Sequence, residues 1–281
     1  MMTGKLYIVA TPIGNLNDIT YRAVETLKSV DLIASEDTRH TQGLLSHFSI
    51  EKKQFAVHQH NEKASAQKII EYLKDGKHIA LVSDAGTPNI SDPGALIVKE
   101  VSAAGFEIIP IPGASAVTTA YSISGMEYTS FHFSGFLPTT SSQRMKVFES
   151  LQAQSCPMIF YEAPHRIVKT LNDMAEFFGN QHEIVVAREL TKTFESIYRG
   201  EISKVKETIE SDSNFQKGEF VILVAPIHHE KKELLTADQH RILKILLNHM
   251  PTNAAVKLAV EILNINKNYL YDEALKIKKD D

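Results

Sequence analysis

The sequence predicts an α/β protein: two α/β domains with a cleft between them, followed by a small helical extension. Three observations carry that prediction. Short apolar runs alternate with segments of helical periodicity from Lys5 to about Ser122, the pattern of a parallel sheet covered on both faces. From Phe131 to Ala225 strand–helix units are interspersed with adjacent strands, so a mixed sheet is expected there. Beyond Ile227 no strand pattern remains. The expected division is 1–124, 125–226, a polar linker over 227–235 and a three-helix unit over 236–281.

Lys5–Ala10 is a short strand that meets the turn Thr11-Pro12-Ile13-Gly14-Asn15. Ile19, Ala23, Val24 and Leu27 mark a helix over Ile19–Val30. Leu32–Ala34 is a second strand, ending in Glu36-Asp37-Thr38-Arg39-His40 before a helix to about Phe48; the bland reading of this turn is that Thr38 caps the helix and Glu36 and Asp37 favour its positive end. Phe55–Val57 is a third strand. Ala66, Ile69, Ile70 and Leu73 share a helix face that Asp75-Gly76 closes. The fourth strand, Ile79–Val82, runs into Ser83–Gly94, a loop with two aspartates, two glycines and two prolines. Glycine lets backbone approach a ligand and proline stiffens its path, so this loop is more than a connector. Ala95–Ala104 is helical, Phe106–Ile111 is a fifth strand, and Pro112–Ala116 opens another helix.

In the second block, Phe131, Phe133 and Phe136 begin a strand, and Pro157–Tyr161 is another. Ala163–Phe178 carries helical spacing at Ile167, Leu171, Met174 and Phe178. Ile184–Ala187, Phe194–Tyr198 and Phe220–Ala225 read as strands, with a helix at Ile202–Glu210. In the tail, Thr236–His249, Thr252–Leu263 and Lys267–Lys279 read as helices, with Thr236 and Thr252 as N-caps.

Composition narrows the function classes. The 281 residues are 43% hydrophobic, and no apolar run approaches a membrane span, so no membrane role is expected. A single cysteine, Cys156, points to a reducing, cytoplasmic setting. The net charge of −4 argues against a generally basic nucleic-acid binder and leaves room for a local basic groove. The tail from Ile227 has nine Lys/Arg against eight Asp/Glu, weak support for RNA contact. Phosphate-loop and Gly-x-Gly-x-x-Gly patterns are missing, which argues against ordinary nucleotide and dinucleotide sites. No Cys or His pair has zinc spacing, and no metal is expected. His58-Gln59-His60 reads as a solvated strand end.

Six strand ends carry functional-looking turns: 11–15, 36–40, 83–94, 112–116, 161–166 and 187–192. In a parallel sheet such turns gather along one edge. Carboxylates from the Asp84 loop suit ribose hydroxyls or a cation, and N–H groups at the helix after Gly113 suit a carboxylate. S-adenosylmethionine is one molecule with those parts.

The runs 6–16 (LYIVATPIGNL), 34–40 (ASEDTRH), 81–88 (LVSDAGTP) with 91–94 (SDPG), 112–116 (PGASA), 160–166 (FYEAPHR) and 186–192 (VARELTK) together resemble the tetrapyrrole-methylase-like superfamily of S-adenosylmethionine methyltransferases. Within it the chain resembles the branch that 2′-O-methylates a cytidine ribose in the decoding region of 16S ribosomal RNA. The resemblance implies a cofactor folded into the cleft, usually a homodimer, and a helix-turn-helix-like tail. Carried over by position, it implies a cofactor site of Pro12, Ser83, Asp84, Ala85, Gly86, Ser115, Ala116, Tyr161, Glu162 and Leu190.

Methyl transfer needs no metal, because a sulfonium is already an activated leaving group. It needs alignment of the acceptor oxygen and a destination for its proton. Glu36, Asp37, His40 and Glu189 are candidate bases by type, with Lys192 if its pKa is depressed. Arg39, Arg166 and Arg188 suit RNA phosphates, or else pair with Glu36, Glu162 and Glu189 to brace the cleft. The partner is 16S RNA or the small ribosomal subunit. Methylation of a corrin or porphyrin precursor is the alternative activity, and a ribosome-assembly factor that only binds the cofactor is the non-enzymatic one.

Overall fold

The computed structural model describes residues 4–58, 61–227 and 235–280. Gln59, His60 and most of the expected linker (228–234) lie outside the described residues. The chain divides into two compact units, 1–227 and 228–281.

The first unit contains two five-stranded sheets. One comprises β1 (Leu6–Val9), β2 (Leu32–Ser35), β3 (Lys53–Ala56), β4 (Ile79–Val82) and β5 (Ile108–Ile111), all parallel, in the order β3-β2-β4-β1-β5. All four residues of β4 are buried, as a strand covered on both faces requires. Its side chains alternate between two cores. Ile79 and Leu81 pack with Ile69 and Leu73 of α3 (Glu62–Lys74) and Ile97 of α4 (Ala95–Ala103). Ala80 and Val82 pack with Leu27 of α1 (Tyr21–Ser29) and Leu45 of α2 (Thr38–His47). The neighbouring strands β1 and β4 therefore send their following helices to opposite faces, which opens a crevice at their carboxyl ends. A backbone bridge between Thr11 and Gly86 (2.8 and 3.1 Å) fixes the mouth of that crevice.

After α5 (Ala116–Ser122) comes the second sheet: β6 (His132–Phe136), β7 (Met158–Glu162), β8 (Glu183–Arg188), β9 (Ser196–Glu201) and β10 (Phe220–Val224). Its order is β6-β7-β10-β8-β9; only β6 and β7 are parallel, so the sheet is mixed as expected. Phe220, Ile222 and Val224 face one core with α6 (Ser141–Leu151), α7 (Ile167–Phe178) and α8 (Ile202–Ser211). Full burial of a side chain such as Ile222 contributes about 1.5–3 kcal/mol. Val221 and Leu223 face the other way, onto a core shared with Ile13 of the first turn and Val117 and Ala120 of α5. This shared core ties the second sheet to turns of the first.

Several boundaries differ from the sequence expectation. The third strand starts at Lys53 because it pairs with β2 from Leu32 onward, polar residues included. The strand expected at Phe194–Tyr198 is β9, displaced to Ser196–Glu201, because Thr191–Phe194 form a turn. Asp37, not Thr38, caps α2: its carboxylate accepts from Arg39 N, and Thr38 is the first helical residue.

The second unit consists of α9 (Ala237–His249), α10 (Thr252–Leu263) and α11 (Lys267–Asp280). Leu243, Leu247, Val256, Ala259, Leu270 and Ala274 form its own core. Thr236 caps α9 in a reciprocal capping box with Gln239. Thr252 does not cap α10: it is already helical, and Pro251 occupies the cap position without a side-chain bond. Among the described residues no helix is long and apolar enough to cross a membrane.

Candidate active site

The loop after β4 is built around its own polar atoms. The Ser83 hydroxyl is directed at the carbonyls of Ala85 and Gly86 (3.4 Å each), and Thr87 Oγ1 donates to Ala114 O at 3.1 Å. Asn89 (φ 72°) and Ser91 (φ 66°) are left-handed although neither is glycine. Such backbone costs on the order of 1–3 kcal/mol per residue and persists where its surroundings over-determine it. Gly94 ends the loop at φ 131°, and a Cβ there would lie 2.2 Å from Asn89 Oδ1. Its N–H donates to Glu62 Oε1 at 2.7 Å, and it occupies the cap position of α4. The second half of the loop thus serves twice: Gly94 starts a helix, while Ile90, Ser91 and Asp92 line a cavity.

That cavity, about 430 Å³, lies between the ends of the two sheets. Glu36, Asp84 and Asp92 supply carboxylates to its wall, and Phe136 and Tyr161 supply aromatic surface. Among the described residues lining it there is no Lys, Arg or His. Asp84 Oδ1 accepts from Asp37 N at 3.0 Å, which joins the loop after β4 to the start of α2. Partial burial pushes the Asp92 carboxyl up to about 6, reinforced by the charge of Glu36 and then Asp84, while a hydrogen bond with Ser83 opposes it. Burial also raises Glu36, with the charge of Asp84 adding to it. Tyr161 is pushed up to about 12 by burial and then by Asp92. The wall resists accumulating negative charge, and a cation placed there relieves it. The volume suits a ligand of cofactor size.

A second cavity, about 500 Å³, shares Ile13, Asp84, Ala85 and Glu219 with the first and is otherwise different in character. Arg39, His40 and Lys192 line it, with Pro12 and Gly14. Gly14 is required here by close approach: a Cβ would meet Lys192 Cγ at 2.5 Å and Thr191 Oγ1 at 2.7 Å. The first turn is pinned to the β8–β9 turn by Asn15 N donating to Thr191 Oγ1 at 3.0 Å. Glu189 (φ 50°) and Thr191 (φ 67°) are left-handed. Four of the six non-glycine residues with positive φ among the described residues thus lie in the two loops facing these cavities.

Of the ten residues implied for the cofactor, Asp84, Ala85, Gly86, Ser115, Ala116, Tyr161, Glu162 and Leu190 line the first cavity. Pro12 lines the second instead, and Ser83 is buried behind the loop, where it supports the backbone. Glu162 is buried, with its carboxylate held by Ala163 N (2.8 Å), Thr170 Oγ1 (2.6 Å) and Arg166, so its side chain is braced from within the second sheet.

The five candidate bases separate clearly. Asp37 caps α2 and pairs with Arg39 at 2.7 Å, which holds its carboxyl well below the usual range. Lys192 pairs with Glu189 and Glu219, both at 2.9 Å. Burial alone would lower the Lys192 ammonium, but the two carboxylates outweigh it and raise it, the opposite of the depressed value a lysine base needs. Burial pulls Glu189 upward, yet Lys192 and the Glu219 N–H leave it lowered. Glu36 faces the first cavity and His40 the second.

Two arginines are not placed to hold phosphate. Arg188 is 7% exposed and donates to three backbone carbonyls, Lys217 (2.7 Å), Asn214 (2.8 Å) and Phe194 (3.1 Å). It braces two turns rather than Glu189. Arg166 sits 3.0 Å from the Glu162 carboxylate and donates to the carbonyls of Leu137 and Pro138. Arg39, its side chain 90% exposed, is the one of the three that stands largely in solvent; it pairs with Asp37 and not Glu36. Sequence reasoning missed Glu219 and Phe136: one is an isolated acid before a strand, the other a strand residue whose exposure no pattern reveals. Among the described residues no group of three or more His, Cys, Asp or Glu side chains is placed to hold a metal ion.

Residues 5–206 match the family model of Tetrapyrrole (Corrin/Porphyrin) Methylases, and residues 233–278 match the RsmI C-terminal HTH domain. The chain is 45% identical over 275 residues to Ribosomal RNA small subunit methyltransferase I of Neisseria meningitidis serogroup B, covering 98% of this chain and 94% of the relative. The protein of the same name from Vibrio cholerae is 48% identical over 271 residues, covering 96% and 94%. Solved structures of the same fold include a diphthine synthase (TM-score 0.62, 16% identity, 79% and 90% covered) and the cobalt precorrin-4 methyltransferase CbiF (0.58, 16%, 79% and 94%).

Proposed function

The chain belongs to the tetrapyrrole methylase family, and from that premise we propose that it is an S-adenosylmethionine-dependent methyltransferase of small-subunit ribosomal RNA, acting on the ribose 2′-oxygen of a cytidine in the decoding region of 16S RNA. The observation that carries this proposal is the pair of unlike cavities with Asp84 and Ala85 in their common wall. One is acidic and aromatic, with no cationic side chain among its described lining residues; the other is lined by Arg39, His40 and Lys192.

The first cavity fits the cofactor by its chemistry. Carboxylates of Glu36, Asp84 and Asp92 accept from ribose hydroxyls and favour a positive centre, and a nucleotide phosphate would face like charge with no cationic side chain among the described lining residues. S-adenosylmethionine, when bound, supplies a methyl group already activated on a sulfonium. The remaining work belongs to the protein's own side chains. Arg39 holds an RNA phosphate at the rim of the second cavity. Lys192 stays protonated between Glu189 and Glu219 and orients the acceptor by charge. His40, on the acceptor side, takes the proton from the 2′-hydroxyl; among the five candidates it is the one that both lines this cavity and is not an ion-paired Asp, Glu or Lys. The family resemblance adds a homodimer working in the cytoplasm, with the chain divided near residue 124 into the two cofactor-flanking halves.

The test is transfer of labelled methyl groups from S-adenosylmethionine to isolated small subunits and to naked 16S RNA, with a tetrapyrrole precursor as parallel acceptor. Label is expected on RNA, at a ribose position that resists alkaline cleavage. Label on the tetrapyrrole alone, or none at all, overturns the proposal in favour of the corrin/porphyrin activity or a cofactor-binding assembly factor.

A further inference from the structure

Phe194 is 71% exposed on the turn between β8 and β9, the most exposed phenylalanine among the described residues. Its backbone is nevertheless held firmly. The Phe194 carbonyl accepts from the buried Arg188 guanidinium at 3.1 Å and from Ser196 Oγ at 3.2 Å. The turn is closed by Glu195 N to Lys192 O (3.1 Å) and by Thr191 N to the Glu195 carboxylate (2.6 Å). Burying a charged arginine whose hydrogen bonds go to carbonyls is costly, and here it fixes the backbone of an exposed tip. A packing residue needs no such support, because its own burial would hold it.

What meets this ring follows from its neighbours. Lys192, two residues away and so within roughly 7 Å along the chain, lines the cavity that also holds Arg39 and His40. Yet Lys192 is paired with two carboxylates and Arg39 with Asp37, which weakens the pull of this rim on phosphates. A single-stranded RNA acceptor therefore needs a second source of affinity beside the cavity. Aromatic side chains on which bases stack supply it, since every base has a π-face.

We propose that Phe194 is a stacking platform for a nucleobase of the RNA acceptor, next to the nucleotide that enters the second cavity, and that Arg188 is the positioning residue that holds the platform out. This rests on the RNA acceptor assigned under the proposed function. The base packs on the ring, its backbone passes the Arg39 and Lys192 rim, and the adjacent ribose reaches His40.

The test uses the full chain with Phe194→Ala, Phe194→Leu and Phe194→Trp. Binding of naked 16S RNA is read directly in the presence of S-adenosylhomocysteine, and KM and kcat are read by methyl transfer. Phe194→Ala and Phe194→Leu are expected to weaken RNA binding and raise the RNA KM by roughly five- to a hundredfold, the range of one base stack. Their kcat, cofactor affinity and melting temperature stay near the parent values, and Phe194→Trp binds as well as the parent. Unchanged RNA binding in Phe194→Ala overturns the platform. So does full activity in Phe194→Leu, which shows an apolar contact without stacking, or a change of oligomeric state in Phe194→Ala, which shows a protein interface. A parent chain that binds RNA but transfers no methyl group overturns the assigned reaction and leaves the platform standing.

Discussion

Replacing Asp92 by Asn should stabilise the protein at neutral pH and do so less as the pH falls. The structure gives the size. Burial and the charges of Glu36 and Asp84 move the Asp92 carboxyl from 3.8 to about 6. At about 1.36 kcal/mol per tenfold this corresponds to ~3 kcal/mol. Asp92 is only partly buried, so solvent screening reduces the effect to about 1–1.5 kcal/mol. The sign follows from proton binding. Between the unfolded value and 6 the folded chain holds a proton that the unfolded chain releases, so the parent loses stability as pH rises through that window. Asparagine keeps the shape and never acquires the charge. Asp92→Asn should therefore melt about 3–5 °C higher than the parent at pH 7.5, with the difference shrinking through pH 6 and nearly gone at pH 4. Thermal melts of both proteins across that range are the assay. A gap that does not change with pH, or a variant that is less stable at pH 7.5, would refute the account of the acidic wall.

Other outcomes follow from the same geometry. His40→Ala should lower kcat by about 10²–10⁴ while leaving cofactor affinity measured by calorimetry unchanged; normal turnover would remove His40 as the proton acceptor. Arg188→Met should leave three carbonyls without their donor and cost about 2–4 kcal/mol in urea denaturation, because the arginine is structural and not a phosphate ligand. S-adenosylmethionine should bind more tightly than its product S-adenosylhomocysteine, which lacks the sulfonium charge, and Asp92→Asn should narrow that preference. Thr236→Ala should destabilise α9 by about 1 kcal/mol by removing its capping box, seen as faster amide exchange in its first turn.

Most of the framework was legible in the sequence because it rests on periodicity. Ile79–Val82 shows no polar residue, and that is what a strand buried on both faces requires. The turns after β1 and β4 stood out by their glycine and proline, joined after β4 by two aspartates, and the turn after β8 by its charged residues Arg188, Glu189 and Lys192. What the sequence concealed is where side chains point. Arg166 and Arg188 look like phosphate ligands by type, but the burial of Arg188, the Glu162 partner of Arg166 and the carbonyls beside both decide otherwise. Lys192 looks like a candidate base until Glu219, 27 positions away in sequence, comes within 2.9 Å of it. Thr252 has the right chemistry for a cap and sits one residue too far along, after a proline that already sets the entry angle. Asp92 appeared only as a loop aspartate, since its altered proton affinity comes first from burial and then from the charges of Glu36, at another strand end, and Asp84, in its own loop.

The core that Ile13 shares with Val117, Val185, Leu190 and Val221 has a mechanical consequence. It works as a weld rather than a hinge: the two sheets cannot swing apart without exposing those side chains to water, and Gly14 leaves no slack against Thr191 and Lys192. Loading and unloading must then occur by small rearrangements of the 83–94 and 189–195 turns, not by opening of the whole molecule. A crystal of the free protein should accordingly take up the cofactor by soaking, with its lattice intact.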